Sequence, residues 1–327
     1  MKCSIALCTY NGERYLKDQL ESLLQQTHRP DEIVVSDDGS TDKTVEIVHS
    51  VLRPSTIPYR VLTHTKKLGV FENFSVCMSS CTGDLIFPCD QDDVWKKDKI
   101  ARHLAVHQAN PTVSLVYSNA TVVFNTIDNE LYPLWDFNLI RNGQYHSRSN
   151  LVFKGRSIAG FCMSVRSDFF KSISPLPKDV YHDDWCATCA ALQDSIYGIP
   201  ESLAYYRQHG SNAVGIIRGG KLSYWKSLFT NVKFYVESDR TISERHHRVF
   251  AELSKRPNLL SSTTLEELNE VETLYRNRTY ELKSYRQSNQ LLLDNLMHGR
   301  YRYHHGVFTY LKDVYNLSIM KLFVHSK

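Results

Sequence analysis

Three carboxylates stand within four residues at Asp90-Gln91-Asp92-Asp93, directly behind the apolar run LIFPC. Like charges that close repel unless cations compensate them. Carboxylate oxygens are natural ligands of Mg2+ or Mn2+, ions that commonly link protein acids to substrate phosphates. An isolated DxDD reads more readily as a solvated loop with Asp93 capping the next helix. Its place after an apolar strand favours the ligand site. A second acidic cluster, Asp37-Asp38-Gly39-Ser40-Thr41-Asp42, has the chemistry of an Asp/Gly turn followed by a helix cap. An Asp there could also accept the N–H of a pyrimidine ring.

In Thr9-Tyr10-Asn11-Gly12-Glu13, Tyr10 could stack on a base and Asn11 could bond it; the plain alternative is an Asn-Gly turn and a packed tyrosine. Neither G-x-G-x-x-G nor G-x-x-x-x-G-K-[ST] occurs there, so the dinucleotide and P-loop readings lose their main support. His182-Asp183-Asp184-Trp185 offers paired acids. One suits a general base facing an acceptor hydroxyl, and both suit the first turn of a helix. Cys186 and Cys189 form a C-x-x-C without a second pair, which favours core-facing thiols over zinc or redox chemistry. His209, in YRQHGSN, could complete a metal shell, although a lone His is more often structural.

Such residues need elements to aim them. Apolar runs at 3–8, 32–37, 59–64, 84–90 and 113–118 alternate with helical patterns at 13–26, 42–52, 71–80 and 97–108. Ser40 or Thr41 is the expected N-cap of the second helix. This βα alternation predicts an α/β fold with a mainly parallel sheet and helices on both faces. Ligands of such sheets bind beyond the strands' carboxyl ends, where TYNGE, DDGSTD and DQDD all fall. Beyond 150, SIAGFCMSV precedes a short helix at 168–172, 182–193 reads as a helix, and 202–210 as a strand running into a loop.

The chain has 327 residues, 42% of them hydrophobic, enough for a large α/β domain with an appendage. Residues 1–215 carry 21 Lys/Arg against 24 Asp/Glu, and residues 216–327 carry 18 against 11, a net of +7 with six further His. All eight cysteines precede residue 216, and only one proline, Pro257, follows it. Two regions are therefore expected, a catalytic 1–215 and a helical 216–327, jointed near Gly219-Gly220. Three helices are expected in the second, at roughly 221–255, 264–297 and 307–323. No apolar run approaches the ~20 residues of a membrane span, and the start MKCSIALCTYNGE turns polar too soon for a signal peptide. A cytoplasmic protein with reduced cysteines is expected. A net charge of +4 over the whole chain is too small to argue for nucleic acid.

Taken in order, TYNGERYL, EIVVSDDGSTDKT, TGDLIFPCDQDDVW and HDDW resemble the inverting family 2 glycosyltransferases with the GT-A fold, over about residues 1–212. The DQDDVW and HDDW wording is similar to the branch that includes bacterial rhamnosyltransferases and other enzymes of O-antigen and capsule assembly. The resemblance implies that Thr9, Tyr10, Asn11 and Glu13 form the first nucleotide-contacting loop and that Asp38 bonds the pyrimidine ring. It implies that Asp90 faces the ribose or the ion and that Asp92 ligates Mn2+ or Mg2+. His209 matches a metal ligand of some relatives. Asp184 matches the catalytic base, with Asp183, where Glu is commoner, and Trp185 on the acceptor side. The implied donor is a UDP- or dTDP-linked sugar, and the implied acceptor a lipid-linked glycan. The QxxRW signature of processive synthases is missing, which implies single-sugar transfer.

A metal-dependent nucleotidyltransferase is the alternative enzyme, and a non-catalytic carbohydrate- or nucleotide-binding module the alternative outside enzymes. The first would call for a basic Gly-rich loop early in the chain, whereas TYNGER has one Gly. For residues 216–327, the basic charge and the aromatics Tyr224, Trp225, Phe229, Phe234, Tyr235, Tyr301, Tyr303, Phe308, Tyr310, Tyr315 and Phe323 suit peripheral contact at the cytoplasmic face of the inner membrane. They suit equally a packing surface against the catalytic region or a second subunit of a homo-oligomer.

Overall fold

A computed structural model of the chain describes residues 1–134, 143–144, 158–209, 232–259, 262–278, 285–298 and 300. The chain divides into two compact units, Met1–His146 with Ser157–Gly215, and Ser147–Arg156 with Ile216–Lys327.

The first unit is built on a ten-stranded sheet. Its strands are β1 (Cys3–Thr9), β2 (Glu32–Asp37), β3 (Tyr59–Thr63), β4 (Leu85–Cys89), β5 (Val94–Trp95), β6 (Leu115–Phe124), β7 (Glu130–Pro133), β8 (Gly143–Gln144), β9 (Met163–Arg166) and β10 (Ile196–Gln208). The order is β3-β2-β1-β4-β9-β6-β10-β5, with β7 on β6 and β8 on β10. β1, β2, β3 and β4 pair in parallel, as do β6 and β10. β9 runs antiparallel between β4 and β6, so those two strands share a direction without touching. The simple βα alternation therefore holds through β4. After it a strand from much later in the chain takes the place beside β4.

Burial explains the apolar runs. All seven residues of CSIALCT and all five of LIFPC are buried, as strands covered on both faces must be. Helix α1 (Leu16–Leu24) buries Leu16, Leu20 and Leu23 on one stripe. It begins three residues later than its pattern suggests. Asn11 takes φ +47°, and the Gly12 carbonyl accepts from the Tyr15 and Leu16 amides at 3.1 Å. Helix α2 (Thr44–Leu52) also starts late, and Asp42 rather than Ser40 or Thr41 accepts the Thr44 amide, at 3.0 Å. Helices α3 (Val70–Ser79), α4 (Lys99–Ala109), α5 (Ser167–Ser172) and α6 (His182–Leu192) complete this unit.

In the second unit the described helices are α7 (Val232–Ser254), α8 (Ser262–Arg278) and α9 (Tyr285–Met297). Phe250 and Tyr275 are buried together, with ring centroids 5.5 Å apart. The helix expected at 264–297 is described as α8 and α9, and residues 279–284 lie outside the described residues, as does the helix expected at 307–323. The side chains of all the aromatics singled out for membrane or subunit contact also lie outside them.

The strand order reverses between β1 and β4: β2 and β3 continue to one side, β9 and β6 to the other. Such a switch point opens a crevice at the carboxyl edge of the sheet. Phe87, fully buried in β4, supports that edge from below, its ring 6.0 Å from Trp95 and 5.6 Å from His103. Phe87→Ala should lower unfolding stability by about 3–5 kcal/mol, read from the urea midpoint, because a filled core site becomes a cavity.

Candidate functional site

β1 and β2 end in motif residues, and β4 runs directly into the DQDD cluster. Thr9 closes β1 and donates its hydroxyl to Asp37 Oδ2 at 2.7 Å. Asp37 also accepts from the Ser40 amide at 2.8 Å and the Ser40 hydroxyl at 2.6 Å, which shapes the turn after β2. Tyr10 and Gln91 face each other across the switch point. The Tyr10 amide donates to Gln91 Oε1 at 2.8 Å, and Gln91 Nε2 donates back to the Tyr10 carbonyl at 3.0 Å. A Cβ on Gly12 would displace that same Gln91 oxygen from its bond to the Tyr10 amide. The Tyr10 ring is 40% exposed, with Lys67 Nζ 3.6 Å from its centroid.

Two residues expected at the nucleotide hold the loop together instead. Asn11 accepts the Thr41 amide at 2.9 Å, and its own amide donates to Ser40 Oγ at 2.9 Å. Glu13 accepts the Lys43 amide at 3.1 Å. Neither lines the crevice. Asp38 does line it, but both its oxygens are engaged: Oδ1 accepts the Leu68 amide at 2.6 Å and Oδ2 the Gly69 amide at 3.0 Å. It pins the segment before α3 across the crevice mouth.

The crevice has two chambers that share Val70, Phe74, Asp90 and Asp92. The larger, about 300 Å³, is bordered by Thr9, Tyr10, Asp38, Lys67 and Asn73. The smaller, about 140 Å³, is bordered by Asp93, Phe161, Tyr181, His182, Asp183 and Tyr206. Four carboxylates thus meet around one hollow. Burial, then Asp92, then Asp183 push the Asp90 carboxyl up to about 8. Asp93 is fully buried and pushed well above the carboxylate range by burial, Asp92 and Asp90. Its Oδ1 accepts the Arg207 amide at 3.1 Å, and its Oδ2 is buried without a hydrogen-bond partner. Asp92 Oδ2 stands 2.9 Å from His209 Nε2, so a residue 117 positions away in the chain reaches the DQDD loop. The His209 ring lies 4.6 Å from that of Tyr15.

The HDDW residues separate. Asp183 lines the smaller chamber and is close enough to raise Asp90. Asp184, expected as the base, is only 3% exposed and lines neither chamber. Trp185, expected on the acceptor side, is fully buried and donates Nε1–H to the Ile173 carbonyl at 3.0 Å. It anchors α6 to the end of α5 and has no surface to offer an acceptor. The helix that begins at His182 turns successive side chains by ~100°, so one acid faces the hollow and its neighbour the interior. Cys186 and Cys189 are buried and form no disulfide. Among the described residues, Cys3, His28 and Asp31 bring three ligand atoms within 4.8 Å of one another, but at the amino end of β1, away from the crevice.

The sequence profile of Glycosyl transferase family 2 matches residues 4–173, over half of the chain. The chain belongs to glycosyl transferase family 2. The family match covers the loops after β1 and β2 and the DQDD cluster; Asp183, Asp184 and His209 lie beyond it. An uncharacterized glycosyltransferase of Nostoc is 28% identical over 220 residues, 65% of this chain and 66% of that protein. An uncharacterized protein of Mycobacterium tuberculosis is 25% identical over 72% of this chain and 64% of its own length. The chain therefore spans about two thirds of the length of these relatives. The dTDP-rhamnosyl transferase RfbG of Shigella flexneri is 28% identical over 70% of this chain and 80% of its own. Among solved structures, Staphylococcus aureus TarS 1–349 in complex with UDP-GlcNAc superposes with a TM-score of 0.57 at 16% identity, covering 100% of this chain and 93% of that one. The mannosyltransferase PcManGT of Pyrobaculum calidifontis, in complex with GDP-Man and Mn2+, gives 0.54 at 16% identity over 98% and 87%. The fold of this family 2 chain is accordingly the GT-A fold.

The raised Asp90 carboxyl has a consequence for stability. An unfolded Asp releases its proton near 3.9. The folded chain keeps that proton up to about 8. Between those values the folded state binds more protons than the unfolded state, so raising the pH lowers stability. In EDTA, Asp90→Asn should melt higher than the parent protein at pH 8, and the gap should close toward pH 4. A gap of constant size across that range would contradict the placement of Asp90.

Proposed function

We propose that this chain is a metal-dependent, inverting glycosyltransferase that moves one sugar from a UDP- or dTDP-linked donor to a hydroxyl of a growing surface glycan, of O-antigen or capsule type, carried on lipid. One observation carries the reading: Asp92 lines a hollow with Asp90 and Asp183, and His209, which does not itself line it, reaches Asp92 at 2.9 Å. In the structure that contact is a hydrogen bond, and its length also suits two ligands of one divalent ion. Two neighbouring ligands of an octahedral ion with bonds of 2.0–2.1 Å stand about 2.9 Å apart. A mixed oxygen and nitrogen set favours Mn2+ over Mg2+. Asp92 and His209 would hold the ion, with Asp90 beside them. When bound, it supplies Lewis-acid stabilisation of the diphosphate leaving group.

The larger chamber, lined by Tyr10, Lys67 and Thr9, suits the nucleotide. RfbG, by its name, acts with a dTDP-sugar, which supports a pyrimidine nucleotide; the solved neighbours carry both UDP-GlcNAc and GDP-Man. The smaller chamber suits the acceptor, with Asp183 as the base. Asp183 takes the proton of the acceptor hydroxyl as its oxygen bonds to the anomeric carbon. The bond from that carbon to the diphosphate breaks on the opposite face, and the proton remains on Asp183. One displacement inverts the configuration without a covalent enzyme intermediate. Asp183, rather than Asp184, takes this role because only Asp183 borders the hollow.

Asp183→Asn should cut turnover by about 10²-fold or more, the usual scale for loss of a general base, with donor affinity unchanged. Asp184→Asn should lower stability and leave most of the turnover per folded molecule. The reverse pattern would return the base to Asp184. EDTA should abolish transfer and also the slow release of nucleoside diphosphate without acceptor. A nucleotidyltransferase would instead release pyrophosphate from a nucleoside triphosphate, and a binding module would release nothing.

A lipid-linked acceptor also gives the basic 216–327 region, net +7, a role against anionic headgroups at the cytoplasmic face of the inner membrane. Among the described residues no helix is long and apolar enough to cross a membrane, so the contact proposed is peripheral. The full chain should co-sediment with anionic vesicles at low salt, release at high salt, and ignore neutral vesicles. Equal recovery in the supernatant under all three conditions would remove the membrane role.

A further inference from the structure

We propose that Arg207 is a positioning residue that sets the Asp92–His209 pair, and that Asp18 on the surface of α1 holds Arg207 in place for that task; this rests on reading the pair as the metal site. Arg207 is 4% exposed, two residues before His209 on β10. Its Nε donates to the Asp92 carbonyl at 2.9 Å, and its main-chain amide donates to Asp93 Oδ1 at 3.1 Å. Nη1 donates to the Asn125 carbonyl, just past β6, at 2.8 Å, and Nη2 to Asp18 Oδ2 at 2.9 Å. The guanidinium also lies 4.6 Å from the centroid of Tyr15, whose ring packs 4.6 Å from that of His209.

One side chain therefore grips both members of the pair. It fixes the main chain of Asp92 through that residue's carbonyl, and backs the His209 ring through Tyr15. The planar fork matters, because a lysine offers one point charge where the guanidinium reaches in three directions. Asp18 is the partner that can be removed cleanly. Its side chain is 57% exposed, it borders neither chamber of the crevice, and its tie to Arg207 crosses 189 positions of the chain. Groups that orient metal ligands from behind typically change affinity by about 10–100-fold when lost.

The test is Mn2+ alone, titrated into the full chain and followed by the loss of the free-ion signal in electron paramagnetic resonance, beside melting curves in EDTA. Arg207→Lys should weaken Mn2+ binding by about tenfold or more. Asp18→Ala should weaken Mn2+ binding per folded molecule by at least about threefold, and Asp18→Glu should restore it. A merely structural role would lower the melting temperature and leave Mn2+ affinity per folded molecule alone. Should Arg207→Lys fail to fold, the Asp18 pair decides. Asp18→Ala binding Mn2+ like the parent protein overturns the proposal. A parent protein that binds no Mn2+ overturns the metal reading itself, which is a separate and recognisable result.

Discussion

Four carboxylates crowded around one hollow are the constraint on which the rest of the site depends. Asp90, Asp92 and Asp93 come from the loop after β4 and Asp183 from the first turn of α6, and partial burial, complete at Asp93, limits the water that would screen their charge. Three features of the chain answer that repulsion. His209 meets Asp92. The Arg207 guanidinium sits behind the loop and shares its charge with Asp18. Lys99, fully buried, with its Nζ lacking a hydrogen-bond partner, has Asp93 among the charges acting on it. Its ammonium is pushed down to about 8 chiefly by burial. A lysine in that position is expensive as core filling, and its charge makes sense only against the acids in front of it.

The sheet makes this crowding achievable. Reversal of strand order between β1 and β4 leaves a gap at the carboxyl edge, and the parallel strands deliver their terminal loops to it together. Two short hydrogen bonds between Tyr10 and Gln91 bridge the gap. The late strand β10 then runs beside β6 for most of its thirteen residues, so that Arg207 and His209 arrive beside a loop more than a hundred positions earlier. The DQDD loop thus has its full surroundings only once β10 is in place.

Much of this was legible in the residues. Wholly apolar runs such as CSIALC and LIFPC mark strands covered on both faces, and acids directly after them mark the ligand edge. The insertion of β9 beside β4 was not legible, because MSVR carries no mark of its partner and sheet order is a tertiary choice. Within HDDW, two adjacent acids look alike on the page. Only the rotation of α6 tells the one facing the hollow from the one facing the core. Trp185 misleads for the same reason, since an aromatic beside acids resembles a sugar platform until its indole N–H is found bonded to the Ile173 carbonyl. Asn11 and Glu13 show a third kind of ambiguity. A polar loop residue can serve a ligand or its own loop, and here both bond the turn at 40–43. Lys67 had no signal at all, because an isolated lysine in TKKLG resembles any surface charge.

The same electrostatics constrain the order of events at the site. A nucleoside diphosphate brings further negative charge to a hollow already lined by acids. Its binding is opposed unless positive charge enters first or with it, and Lys67 in the lining is a single exposed cation beside Tyr10. In the proposed reading, cation and donor would therefore be coupled ligands, each raising the affinity of the other by the same factor.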